Sequence, residues 1–137
     1  MFGRRFAATR LSALAALVCA AMAVSGCVRD LDYQSITGEG LYQARCATCH
    51  GQTGEGDGPA SRGLQPIPRN LRTAAWQDAV SDAHLRTTIL SGGAAVGRSS
   101  RMPPQPDLAS HPQALERLVQ HLRSLREAPS KPGAVAR

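Results

Sequence analysis

Large side chains are scarce in this 137-residue chain. It has two phenylalanines, two tyrosines and one tryptophan, and Phe2 and Phe6 fall in what reads as a removable leader. Tyr33, Tyr42 and Trp76 are left to fill an interior. Ordering a chain costs roughly 1–2 kcal/mol of backbone entropy per residue, which so few bulky groups offset poorly. A two-layer α/β enzyme of ordinary size is excluded, and a bound group acting as part of the interior becomes attractive. Lysine is nearly absent, with Lys131 the only one. No basic stripe interleaved with aromatics occurs, which excludes an ordinary nucleic-acid surface. The chain holds 16 basic and 10 acidic residues, formally +6. Arg4, Arg5 and Arg10 belong to the leader, so 13 basic residues face 10 acidic ones beyond it. No apolar run is long enough to span a bilayer comfortably, which takes about 20 residues.

The longest apolar run, residues 11–24, follows a short basic stretch and suits the core of an export signal. The string Val24-Ser25-Gly26-Cys27 resembles a bacterial lipoprotein processing box. That resemblance implies cleavage before Cys27, lipid on its sulfur, and an anchor on the periplasmic side of a membrane. Val28 in the second position after the cut resembles the pattern that allows outer-membrane sorting. An ordinary signal peptide with an incidental cysteine is the alternative. Cysteine arithmetic then closes. Cys19 leaves with the leader, Cys27 takes lipid, and Cys46 and Cys49 remain. No spare pair exists for a disulfide framework.

The expected organisation is a signal over residues 1–26, a tether over 27–34, one folded domain over 35–128 and a disordered tail over 129–137. A first helix is expected from Ser35 or Thr37 to Cys49, with Gly40, Ala44 and Ala47 on one face open to a close helix crossing. A second is expected over residues 81–90, capped by Ser81 or Asp78 and ended by Gly92-Gly93. The last is the clearest. Ser110 and Gln113 are expected to form a capping box, with Pro112 in the first turn. Leu115, Leu118, Val119, Leu122 and Leu125 then cover an arc of about 120°. Glycines and prolines make loops of residues 51–63, 65–71 and 97–106. No alternating strand and no internal repeat occurs. The reading is all-α with long loops.

Cys46-Ala47-Thr48-Cys49-His50 carries the chemistry. Two thiols three apart near a helix end can bond to the two vinyl groups of one haem, and the next histidine can reach its iron. A thioredoxin-like dithiol would want a preceding strand in βαβ surroundings, which are absent. A zinc site would have to recruit His84, His111 or His121, and two thiolates and a histidine within five residues make poor tetrahedral geometry. Six-coordinate iron needs a second axial ligand. Met102, the only methionine beyond the leader, lies in an irregular segment and is followed by Pro103 and Pro104, which stiffen the backbone beside it. Its thioether is soft and neutral and would raise the potential relative to a second imidazole. His84, His111 and His121 are the substitutes, each otherwise a solvated or capping residue.

The ordered set resembles a class I c-type cytochrome over residues 40–126. It runs from Gly40-Leu41-Tyr42 through Cys46-Ala47-Thr48-Cys49-His50-Gly51, Gly54, Gly56-Asp57-Gly58-Pro59 and Leu64. It continues through Pro68, Leu71, Gly92-Gly93, Met102-Pro103-Pro104 and the final helix with Leu118 and Leu122-Arg123-Ser124-Leu125. The resemblance implies an all-α, cytochrome c-like fold, three or more helices wrapped around one covalently bound haem c. It implies His50 and Met102 as axial ligands, and a crossing of the first and last helices near Gly40 and Tyr42. It implies Pro59 packed beside His50, its backbone carbonyl region orienting the imidazole. Trp76 is either a haem-packing or propionate-bonding residue or a plain core tryptophan. Arg69 is a candidate propionate contact, and Arg98 and Arg101, flanking Met102, are candidates for docking an acidic redox partner.

The expected function is a membrane-tethered, periplasm-facing carrier of single electrons between redox proteins, with no nucleic acid, no small-molecule substrate and no catalysis of its own. A haem-based sensor or ligand-binding module, and a relay or structural subunit of a larger dehydrogenase or oxidase, are the alternatives.

Overall fold

The computed structural model describes residues 32–127. The expected leader, the lipid site Cys27 and the expected tail lie outside the described residues. Within them run five α-helices: α1 Gly38–Arg45, α2 Ala47–His50, α3 Ala74–Ala79, α4 Asp82–Ala95 and α5 Pro112–Ser124. Two short 3₁₀ turns, Pro59–Ser61 and Pro106–Ser110, complete the regular structure, and no strand occurs among the described residues. The fold is all-α.

Thr37 starts α1 by accepting the Gly40 N–H at 2.9 Å, and Glu39 and Arg45 complement the helix dipole at its two ends. The expected single helix through Cys49 is two helices. The hydrogen-bond ladder closes on Tyr42 from Cys46 and restarts at the Cys46 carbonyl, which accepts from Cys49 and His50. Cys46, at φ −112, is the hinge between them.

The buried stripe of α1 is Gly38, Leu41 and Tyr42, spaced as one helical face, with half-buried Arg45 at its end. That stripe packs on Leu115, Leu118, Val119 and Leu122 of α5, the arc expected from the sequence. Leu41 and Tyr42 are fully buried. The close-approach residue is Gly38, where a Cβ would stand 2.0 Å from the Arg117 carbonyl oxygen. Gly40 does not fill that role: a Cβ there meets only the Thr37 and Ile36 side chains, and Ala44 is exposed. Arg117 reinforces the crossing from the other side, donating to the Ile36 carbonyl at 2.9 Å and the Tyr33 carbonyl at 2.6 Å.

The capping box expected at α5 does not form. Ser110 belongs to the preceding 3₁₀ turn, and His111 takes the cap position without a side-chain hydrogen bond. Pro112 at the first helical position needs no partner for a missing N–H, and the His111 ring instead stacks on Tyr33 at 4.0 Å. Ser81 caps α4 through the His84 N–H at 3.2 Å. Gly92, at φ 79, breaks that helix where expected, and one more turn follows it. Helix α3 was not foreseen. It has no side-chain cap, and Gln77 holds it, donating to the Leu71 carbonyl at 2.5 Å and the Leu122 carbonyl at 2.8 Å while accepting from Arg123 at 2.9 Å.

His121 sits at the helix crossing, not in solvent or at a cap. Its ring lies 5.1 Å from that of Tyr42, and its Nε2 is buried without a partner. Burial lowers its pKa below the ordinary 6.5, with the charge of Glu39 opposing. The folded state therefore prefers the neutral ring. Its contribution is intact above the ordinary value and is lost as pH falls through the depressed folded one. The unfolding midpoint is expected to fall from about pH 7.5 to about pH 5, and His121→Gln to flatten that decline. An equal slope in the variant contradicts this.

Candidate functional site

A four-residue helix has no stability of its own, so the placement of Cys49 and His50 depends on what satisfies the end of α2. The glycine-rich loop does this. Its Gly51, Gly56 and Gly58 N–H groups donate to the carbonyls of Ala47 at 2.8 Å, His50 at 2.8 Å and Cys49 at 3.2 Å. The Tyr42 hydroxyl, brought in by the helix crossing, donates to the Gly51 carbonyl at 2.7 Å. Gly58 lies so close to α2 that a Cβ would stand 2.4 Å from the Thr48 oxygen and 2.5 Å from that of Ala47.

Both thiols are half-buried and neither is in a disulfide. Burial pushes the free Cys46 thiol up to about 11, the adjacent Arg45 guanidinium pulling it down and Cys49 raising it. His50 places Nδ1 3.1 Å from the Arg69 carbonyl oxygen. With Nδ1–H assigned as the donor, the lone pair is on Nε2, and the accepting carbonyl makes that nitrogen a better ligand. Burial lowers the His50 pKa, against the opposing effect of the Arg69 bond, and favours the neutral ring that ligation requires. The orienting carbonyl is thus Arg69's. Pro59 instead opens the 3₁₀ turn and is exposed.

Met102 is half-buried in the segment after α4. Its N–H donates to the Ser99 carbonyl at 3.2 Å and its carbonyl accepts from Gly93 at 3.0 Å. A Cβ on Gly92 would lie 2.9 Å from the Met102 oxygen, and one on Gly93 3.1 Å from the Met102 Cβ. The glycine pair expected only to end a helix also seats this segment. Trp76 is half-buried on α3, and Arg69, Arg98 and Arg101 are exposed. Among the described residues no three His, Cys, Asp or Glu side chains converge to hold a metal ion, so the zinc alternative has no ligand set. The sequence reading missed the Arg69 carbonyl, which no side-chain pattern announces. It also missed the packing of Gly58, whose one signal was a glycine-proline step soon after the motif.

A family model described as "Cytochrome C oxidase, cbb3-type, subunit III" matches residues 35–122, well over half of the chain. The chain belongs to this family of c-type cytochromes. A solved structure described as "KustC0563 c-type cytochrome" is 28% identical, with a TM-score of 0.49 over 67% of this chain and all of that one. No curated protein matches the chain. As a class I c-type cytochrome it carries covalently bound haem c and serves haem-based electron transfer. The residues present fit that group. Two unpaired thiols are available for thioether bonds, and one imidazole is held in the ligating tautomer beside them.

Gly58→Ala is expected to push the loop off α2 and to lower the fraction of chains carrying covalent haem severalfold, since overpacking against backbone costs about 1–3 kcal/mol. Haem absorbance per polypeptide measures it. Wild-type loading in the variant contradicts the role given to this contact.

Proposed function

We propose that this cytochrome holds a single haem on Cys46 and Cys49, with His50 and Met102 as its two axial ligands. It carries single electrons between redox proteins on the periplasmic side of a bacterial membrane, tethered by lipid on Cys27, with the outer membrane preferred. Bound haem supplies a one-electron ferric/ferrous couple. The chain's own residues hold the ligands in place through that cycle. His50 is oriented by the Arg69 carbonyl, and Met102 is seated on Gly92 and Gly93 between backbone bonds to Ser99 and Gly93. The observation that carries the reading is the His50 imidazole, fixed by Nδ1 one residue after two free thiols. Ferric protein is expected to show a sulfur-to-iron charge-transfer band that Met102→Ala abolishes. A high-spin, five-coordinate spectrum in the intact protein contradicts this and favours the sensor reading.

The charge layout supports an acidic partner. Arg45, Arg72, Arg86, Arg123 and Arg126 each pair with a carboxylate, and Arg117 bonds backbone carbonyls. Arg62, Arg69, Arg98 and Arg101 are exposed without a side-chain partner among the described residues. They lie in the loops that follow the attachment motif and precede Met102, so uncompensated positive charge flanks both ligands in sequence. Reversing Arg98 and Arg101 to Glu is expected to slow electron transfer to an acidic acceptor severalfold at low salt and little at high salt. An unchanged rate and salt slope overturns the docking role. The family description, a subunit of an oxidase, favours as the second reading a relay subunit of a larger complex. Stable co-purification with membrane subunits supports that reading over a mobile carrier.

A further inference from the structure

Arg45 is the last residue of α1 and directly precedes the first attachment cysteine. Its Nη1 lies 2.7 Å from Gln105 Oε1 and 2.8 Å from Asp107 Oδ2, and Nη2 donates to the Tyr33 hydroxyl, which itself donates to Asp107. The side chain is 21% exposed. Gln105 and Asp107 lie three and five residues beyond Met102, and the Gln105 N–H donates to the Ile89 carbonyl of α4 at 2.9 Å. One guanidinium therefore joins four parts of the chain: the approach to α1, the end of α1, the segment leaving Met102, and the turn that leads into α5.

Two other ion pairs are simpler. Arg86 holds Glu116, joining α4 to α5, and Arg126, just past the end of α5, holds Asp78 of α3. Among the ion pairs of the described residues, only that of Arg45 reaches the segment that follows Met102. The Met102 backbone is held by Ser99 and Gly93; downstream, the Gln105 N–H on the Ile89 carbonyl holds the main chain and Arg45 holds the Gln105 and Asp107 side chains. An outward swing of the segment would break the Gln105 and Asp107 contacts.

We infer that Arg45 is a positioning residue for Met102: through Gln105 and Asp107 it clamps the ligand segment to the attachment end of α1 and so opposes exchange of the axial ligand. This rests on the proposed ligation by Met102. Lysine cannot replace arginine, because three acceptors spread over two side chains and a hydroxyl need the planar fork and its several donors. Losing charge-assisted bonds of this kind shifts an opening equilibrium by about tenfold or more.

The test titrates ferric holoprotein with imidazole and follows loss of the sulfur-to-iron band. Hydrogen exchange of the peptide covering residues 102–108 is measured in parallel. Arg45→Met and Arg45→Lys are each expected to bind imidazole about tenfold more tightly than wild type and to exchange that peptide faster, with α5 peptides unchanged. Arg86→Met, which removes an ion pair remote from the segment, is expected to change neither. Exchange that accelerates without a gain in imidazole affinity overturns the proposal, as does unchanged exchange or rescue by lysine. A wild type that lacks the sulfur band and binds imidazole as tightly as Met102→Ala does fails at the ligand itself and takes the clamp with it.

Discussion

The contact of Gly38 with the Arg117 backbone is the constraint on which the rest of the molecule depends. It lets α1 lie directly on α5, which buries Tyr42 completely and aims its hydroxyl at the Gly51 carbonyl. Gly51 closes α2, so one helix crossing determines where both thiols and the imidazole stand. A larger residue at position 38 would separate the helices, and the attachment motif would lose its support without any change in its own residues. In a domain with three aromatics beyond the leader, such backbone-to-backbone approach replaces the bulk that ordinary cores use.

The polar side chains follow the same economy. Gln77 ties α3 to α5 and to the Leu71 carbonyl, and Arg123 reaches Asp82 and the Val80 carbonyl from α5. The half-exposed Arg123–Asp82 pair contributes at most about 1 kcal/mol, while the buried Gln77 amide would be costly to leave without its partners. The value of the pair lies more in fixing the short helices relative to one another than in total stability. Asp78 and Asp107 are held below the usual carboxylate range chiefly by hydrogen bonds from Arg126 and Tyr33 respectively. What they stabilise is lost only in acid, well below the window in which His121 acts.

Chemistry was more legible in the sequence than geometry. The Cys-His string, the apolar arc of α5 and the glycine pair before Met102 are local patterns, and local patterns survive in a one-dimensional reading. Helix α3 does not, because its hold is Gln77 on carbonyls that include one 45 residues away. Residue types alone point to Gly40 in place of Gly38 for the crossing, because nothing in them marks the hinge at Cys46. A helix continued to Cys49 presents a different face from one that stops at Arg45. The capping box at Ser110 failed since the turn begun by Pro106 had already claimed that residue. The carbonyl that orients His50 belongs to the main chain of residue 69, and main-chain partners leave no trace in residue types.

The central claim is that one porphyrin, bonded through both Cys46 and Cys49, completes this interior. Mass analysis of the proteolytic fragment containing those two cysteines, from protein made in cells able to attach haem, tests it most directly. The account predicts a fragment heavier by a single haem, with both sulfurs in thioether bonds and the colour retained after acid extraction. A fragment of unmodified mass from a folded, compact protein would contradict it.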